Sequence, residues 1–61
     1  MVLLMKKYTV RVYTQDNEWR GNVTTYRFAT KAKANEAADR IATALHSRQA
    51  KGEIKYWTVE Q

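Results

Sequence analysis

The chain has no cysteine and no proline, and only two glycines and one histidine among its 61 residues. Each shortage removes a class of structure or chemistry. Without cysteine, neither a disulfide nor a thiolate metal site can reinforce a small core, which suits an intracellular protein. Without proline, folding waits on no prolyl isomerisation. With glycine at Gly21 and Gly52 alone, there is no glycine-rich loop to cradle a phosphate. His46 has no second His or Cys with which to form a transition-metal site. No Ser–His–acid set or carboxylate pair is placed for catalysis, so the expectation is a non-enzymatic chain with no cofactor and no metal. Long apolar runs are missing too. MVLLM at the start is too short for a signal segment or a membrane span, and Met5 offers an alternative start that would leave Met1–Leu4 as a leader. A soluble cytoplasmic protein is expected.

Acids are also scarce, with 6 Asp and Glu against 11 Lys and Arg and a net charge of +5. The sequence pI is near 9.8. Such a balance favours anionic partners, whether nucleic acid, an acidic protein surface or a membrane surface. At 61 residues the chain makes one domain, with room for one helix on one small sheet.

Lys7–Thr14 (KYTVRVYT) alternates, with Tyr8, Val10 and Val12 on one side and Thr9, Arg11 and Tyr13 on the other. Gln15–Asn22 (QDNEWRGN) carries turn residues, and Val23–Ala29 (VTTYRFA) reads as a second strand, so the two strands form an antiparallel hairpin. From Thr30 the period lengthens to that of a helix. Ala34, Ala37, Ala38, Ile41, Ala44, Leu45 and the stem of Arg48 fall on one stripe at about 100° per residue. Thr30 as N-cap and Gly52 as the residue past the C-cap bound the helix at about residues 31–51. Ile54–Val59 is the last strand. These elements predict an α+β fold, a single ββαβ domain spanning 1–61, with sheet order 2-1-3 and one helix on one face.

Tyr8, Val10, Val12, Tyr26, Phe28, Ile54 and Tyr56 form the expected helix-facing set. The opposite parity would bury Arg11, Arg27 and Lys55 together. The open face is then expected to carry Thr9, Arg11, Tyr13, Thr25, Arg27, Lys55, Trp57 and Val59, without a carboxylate. Cations interleaved with aromatics suit nucleic acid, because cations neutralise phosphates while rings stack on bases. The same residues also serve a protein contact, to self or to a foreign partner, or act as a simple cover for the sheet. Monomer and homodimer both remain open, since the second and third strands are sheet edges.

Lys31 and Lys33 sit in the first helical turn, where the macrodipole disfavours cations. They mark either a phosphate site at the helix end or solvated lysines. Trp19, in the hairpin loop, either folds back onto the core edge or is displayed to a partner. Glu36, Asp39, Arg40 and Thr43 make a solvated helix face.

YRFATKAKANEAA (Tyr26–Ala38) resembles the strand-to-helix junction of the arm-type DNA-binding domains of phage-type tyrosine recombinases. That resemblance covers about residues 8–45 and implies a basic sheet facing DNA through Arg11, Tyr13 and Arg27. The chain departs from that pattern in having two strands before the helix and one after, and no recombinase catalytic domain. In topology and length, with its KKY opening, the chain also looks like small phage inhibitors of host RNA polymerase. Both resemblances imply a phage or mobile-element accessory protein in the cytoplasm of a bacterial host. The site residues expected for nucleic acid are Arg11, Tyr13, Arg27, Lys55 and Trp57 on the sheet, with Lys31 and Lys33 beside it.

Overall fold

A computed structural model describes residues 7–61, and both the expected leader Met1–Leu4 and the alternative start Met5 lie outside them. Strand β1 spans Tyr8–Gln15, β2 spans Gly21–Phe28, helix α1 spans Lys31–Ala50 and β3 spans Tyr56–Glu60. The sheet order is β2-β1-β3, a single ββαβ α+β domain with β1 in the centre. Both neighbours run antiparallel to β1.

Helix α1 begins and ends where its flanking residues dictate. Thr30 is extended at φ −127°, ψ 151°, and its hydroxyl accepts a hydrogen bond from the Lys33 N–H. At the other end Gly52 takes φ +80°, which a side chain would resist. Its N–H donates to Gln49 O at 3.0 Å, and the Glu53 N–H donates to Arg48 O at 2.9 Å. That pair of reversed bonds is a Schellman closure. An Arg48–Glu53 ion pair at 3.3 Å takes the place of the apolar contact that often accompanies this motif.

Central position and small residues explain the core. Val10 is fully buried and Val12 nearly so, since β1 has a strand on both sides and the helix above it. Ala34, Ala38, Leu45 and Ile54 complete the buried cluster, with Tyr8, Phe28, Ile41, Trp57 and Val59 packed around it. The alanines let the helix backbone lie close to the sheet. The helical stripe is rotated slightly from the expected one: Ala42 is half-buried, whereas Ala44 and Arg48 are exposed. Ile41, at the margin of the stripe, is half-buried too.

The third strand departs from expectation in its facing. Val12 is aligned with Val59 and Thr14 with Trp57, so Trp57 and Val59 lie on the helix side. Tyr56 is turned outward and is 49% exposed. The cause lies at the start of the strand. Ile54 fills the core just after the Gly52 turn, before β3 begins. The Lys55 N–H then donates to Gln15 O at 2.8 Å, while Tyr56 is the residue aligned with Gln15. Two consecutive residues thus address one partner, the count of a bulge, and the parity flips between Ile54 and Trp57. The larger indole goes inward and its N–H donates to Gln49 Oε1 at 3.0 Å. Lys55 escapes burial by lying outside the strand, so its charge did not constrain the register.

Candidate nucleic-acid interface

The uncovered side of the sheet displays Thr9, Arg11, Tyr13 and Gln15 from β1, and Gly21, Val23, Thr25 and Arg27 from β2. Their facing follows from the pairings Thr9↔Arg27, Arg11↔Thr25, Tyr13↔Val23 and Gln15↔Gly21, because aligned residues share a face. Arg11 and Arg27 are both exposed. They are diagonal neighbours across the β1–β2 ladder, a relation that separates backbones by about 7–8 Å. Two guanidiniums so placed concentrate positive potential at the β1 start and β2 end.

The opposite end of this face is aromatic. Tyr13 and Tyr56 have ring centroids 6.1 Å apart at 60°, a tilted pair. Gly21 makes this arrangement possible. A Cβ there would lie 2.7 Å from Tyr13 Oη and 2.9 Å from Cε1, so only glycine lets the ring lie down across β2. Beyond Tyr56, the Lys55 ammonium stands 4.0 Å from the centroid of the Trp19 ring, a cation–π contact.

Asp16 builds the loop that presents Trp19. Its Oδ1 accepts from the N–H groups of Glu18 and Arg20, both at 2.9 Å, and its Oδ2 accepts from Arg20 Nε at 3.0 Å. These contacts hold the Asp16 carboxyl below its ordinary range. The Arg20 N–H is the leading cause; partial desolvation opposes it, and the Glu18 N–H and the Arg20 charge add to the lowering. Asn17 Nδ2 donates to Gly52 O at 2.7 Å, tying the hairpin loop to the α1–β3 connection.

Several expected site residues are placed differently. Trp57 is not on the open face; it packs on the core and bonds Gln49, so it cannot stack on a ligand there. Tyr56 takes the outward place. The same parity change brings Thr58 and Glu60 to the open face, with Glu60 aligned to Arg11, so the face is not free of acid. Lys31 and Lys33 diverge, as residues two apart on a helix must. Lys33 lines a groove of about 440 Å³ with Tyr26, Phe28, Glu36 and Arg40, away from the open face. Lys31 lies by Lys7, Tyr8 and Gln61 near the start of β1. They do not form one phosphate site, and the Lys33 N–H is already bonded by Thr30. Arg11, Tyr13 and Arg27 do share the open face, and Lys55 stands at its aromatic end. Tyr56 was legible in principle: Trp57 and Val59 alternate as well as Ile54 and Tyr56 do.

The ion pairs sort the cations. Arg20 pairs with Asp16 and Glu18, Arg40 with Glu36, and Arg48 with Glu53. All four contacts lie on the hairpin loop, the helix or the helix end. Among the described residues, Arg11, Arg27 and Lys55 have no carboxylate within 4.0 Å. No group of three or more His, Asp or Glu that could hold a metal occurs among the described residues. No helix there is long and apolar enough to cross a membrane. Comparison with family models, curated proteins and solved structures finds no match, so the reading of this face rests on its own residues.

Proposed function

We propose that the protein is a non-enzymatic cytoplasmic module that binds nucleic acid across its open sheet face. The carrying observation is the division of charge. Asp16, Glu18, Glu36 and Glu53 pair with cations on the loop and helix, whereas Arg11, Arg27 and Lys55 on the open face and its rim have no carboxylate partner among the described residues. Arg11, Arg27 and Lys55 thus contribute unpaired positive charge to the face and rim that carry Tyr13 and Tyr56. Arg11, Arg27 and Lys55 contact phosphates, and Tyr13 and Tyr56 supply ring faces to bases. Lys31, beside Lys7 and the start of β1, extends the footprint; Lys33 does not. The role agrees with what the likeness to recombinase arm domains implies for Arg11, Tyr13 and Arg27, and with an accessory protein of a phage or mobile element.

The test is titration of labelled oligonucleotides at several salt concentrations. Three phosphate contacts give weak binding, with a log–log salt slope of about −2 to −3. Arg27→Glu removes one contact and adds a repulsion, so affinity should fall on the order of tenfold at low salt. Arg40→Glu, on the helix and already paired with Glu36, should change it little. Equal losses at both positions would mean diffuse attraction to a basic protein. If no oligonucleotide binds even at low salt, an acidic protein surface becomes the better partner, and capture from a nuclease-treated lysate would then look for it.

A further inference from the structure

Trp19 occupies a position that the fold would fill more comfortably with another residue. The Asp16 N–H bonds Arg20 O at 3.0 Å and the Trp19 N–H bonds Asp16 O at 3.2 Å, closing a tight hairpin loop of Asn17, Glu18 and Trp19. The last residue of such a loop is left-handed, and Trp19 has φ 67°. Glycine or asparagine takes that conformation at little cost, whereas a bulky side chain there is an outlier. The nearest glycine, Gly21, is used instead to make room for Tyr13. Trp19 gives nothing to the core in return: it is 66% exposed and lies outside the buried cluster.

Nor does the loop depend on it. The Asp16 carboxylate accepts three hydrogen bonds within the loop, and Asn17 clasps the loop to Gly52. The Lys55 ammonium lies over the indole at 4.0 Å, yet the residue stays 66% exposed. An exposed ring face beside an unpaired cation offers a stacking surface to a base and a charge to its phosphate, and a strained conformation held without a packing gain points to function.

We propose that Trp19 is a base-stacking residue. It receives one unpaired nucleobase of a single strand on its exposed ring, and Lys55 pairs with an adjoining phosphate. This rests on the nucleic-acid reading of the open face and narrows it to single strands, because a base inside a duplex offers no free face. Lys55 joins the two regions, since it contacts Trp19 and is followed directly by Tyr56, the partner of Tyr13.

The experiment measures binding of a labelled oligothymidylate of about ten nucleotides, and of a duplex of equal length, to the full chain and its variants. Thermal melts accompany each titration, and binding is measured well below the melting point. Trp19→Gly and Trp19→Asn should melt no lower than the parent chain. They should lose about tenfold or more in single-strand affinity, by the same factor at every salt concentration. Trp19→Phe should retain part of that affinity. Lys55→Gln should instead flatten the salt slope by about 0.7.

If Trp19→Gly binds the single strand as the parent does while Arg27→Glu weakens it, the sheet-face reading stands and the Trp19 assignment falls. A lowered melting point with unchanged affinity would give Trp19 a structural role and also overturn it. Equal losses on duplex and single strand would refute stacking. Failure of the parent chain to bind either oligonucleotide would remove both readings.

Discussion

The reversed facing of β3 can be tested by truncating Tyr56 and Trp57 in turn. Fully burying a large aromatic makes its truncation to alanine cost about 3–5 kcal/mol. Trp57 is half-buried against the core, so roughly half of that, about 2 kcal/mol, applies. Losing its bond to Gln49 adds about 0.5 kcal/mol. The chain's 61 residues set total stability at about 3–9 kcal/mol. Trp57→Ala should therefore remove a large share of it and lower Tm by about 10–20 °C. Tyr56 is 49% exposed and its main contact is the tilted pair with Tyr13. Tyr56→Ala should cost about 1 kcal/mol, or about 4–8 °C. Far-UV circular dichroism melts of the two variants decide the matter. If Tyr56→Ala destabilises as much as Trp57→Ala or more, the inward and outward assignments of β3 are wrong.

Two further perturbations probe the aromatic end of the sheet. Gly21→Ala would bring a Cβ to 2.7 Å from Tyr13 Oη, so the ring must lift, at about 1 kcal/mol in stability. Ring-proton shifts of Tyr13 and Tyr56 should both change, and unchanged shifts would show that the two rings are not held together through Gly21. For Asp16, the folded carboxyl titrates below its unfolded value of about 3.9, so its contribution is complete above that pH and is lost as pH falls through the folded value. Melts of the parent chain should thus drop more steeply than those of Asp16→Asn between about pH 5 and pH 2; parallel curves would show that the carboxylate does not hold the loop.

The architecture was legible because its signals are local and agree with one another. Strict alternation around Val10 and Val12, turn residues at Asp16–Gly21, the Thr30 cap and Gly52 each mark an element boundary, and sheet order follows from connecting them. Facing was legible where charge lay within a paired strand. Arg11 and Arg27 both lie inside paired strands, so burying them was prohibitive and both point outward. Facing failed in β3 because its boundary falls between Lys55 and Tyr56. Four apolar residues, Ile54, Tyr56, Trp57 and Val59, support either parity, and the choice is made by tertiary packing of Ile54 under the helix end. The loop Trp19 was visible as a candidate but not its left-handed conformation, since the glycine expected to take such a turn lies two residues later.

The division of labour between the two sheet faces bears on how sharply any of this can be tested. The buried cluster and the residues packed around it lie on the helix side or on the helix itself. The open face contributes one tilted tyrosine pair and, at its end, one cation–π contact. Exposed substitutions of this kind usually change stability by only about 0.5 kcal/mol. Arg11, Arg27, Lys55 and Trp19 can therefore be altered one at a time in a chain that stays folded, even though a domain of 61 residues has little stability to spare. A loss of binding at these positions then reports on the ligand contact itself. At Trp19 the two readouts should move in opposite directions, because relieving the left-handed strain favours folding while removing the ring removes the stacking surface. A structural tryptophan would lower the melting point and leave the affinity unchanged, and an idle one would raise the melting point alone as the strain is relieved.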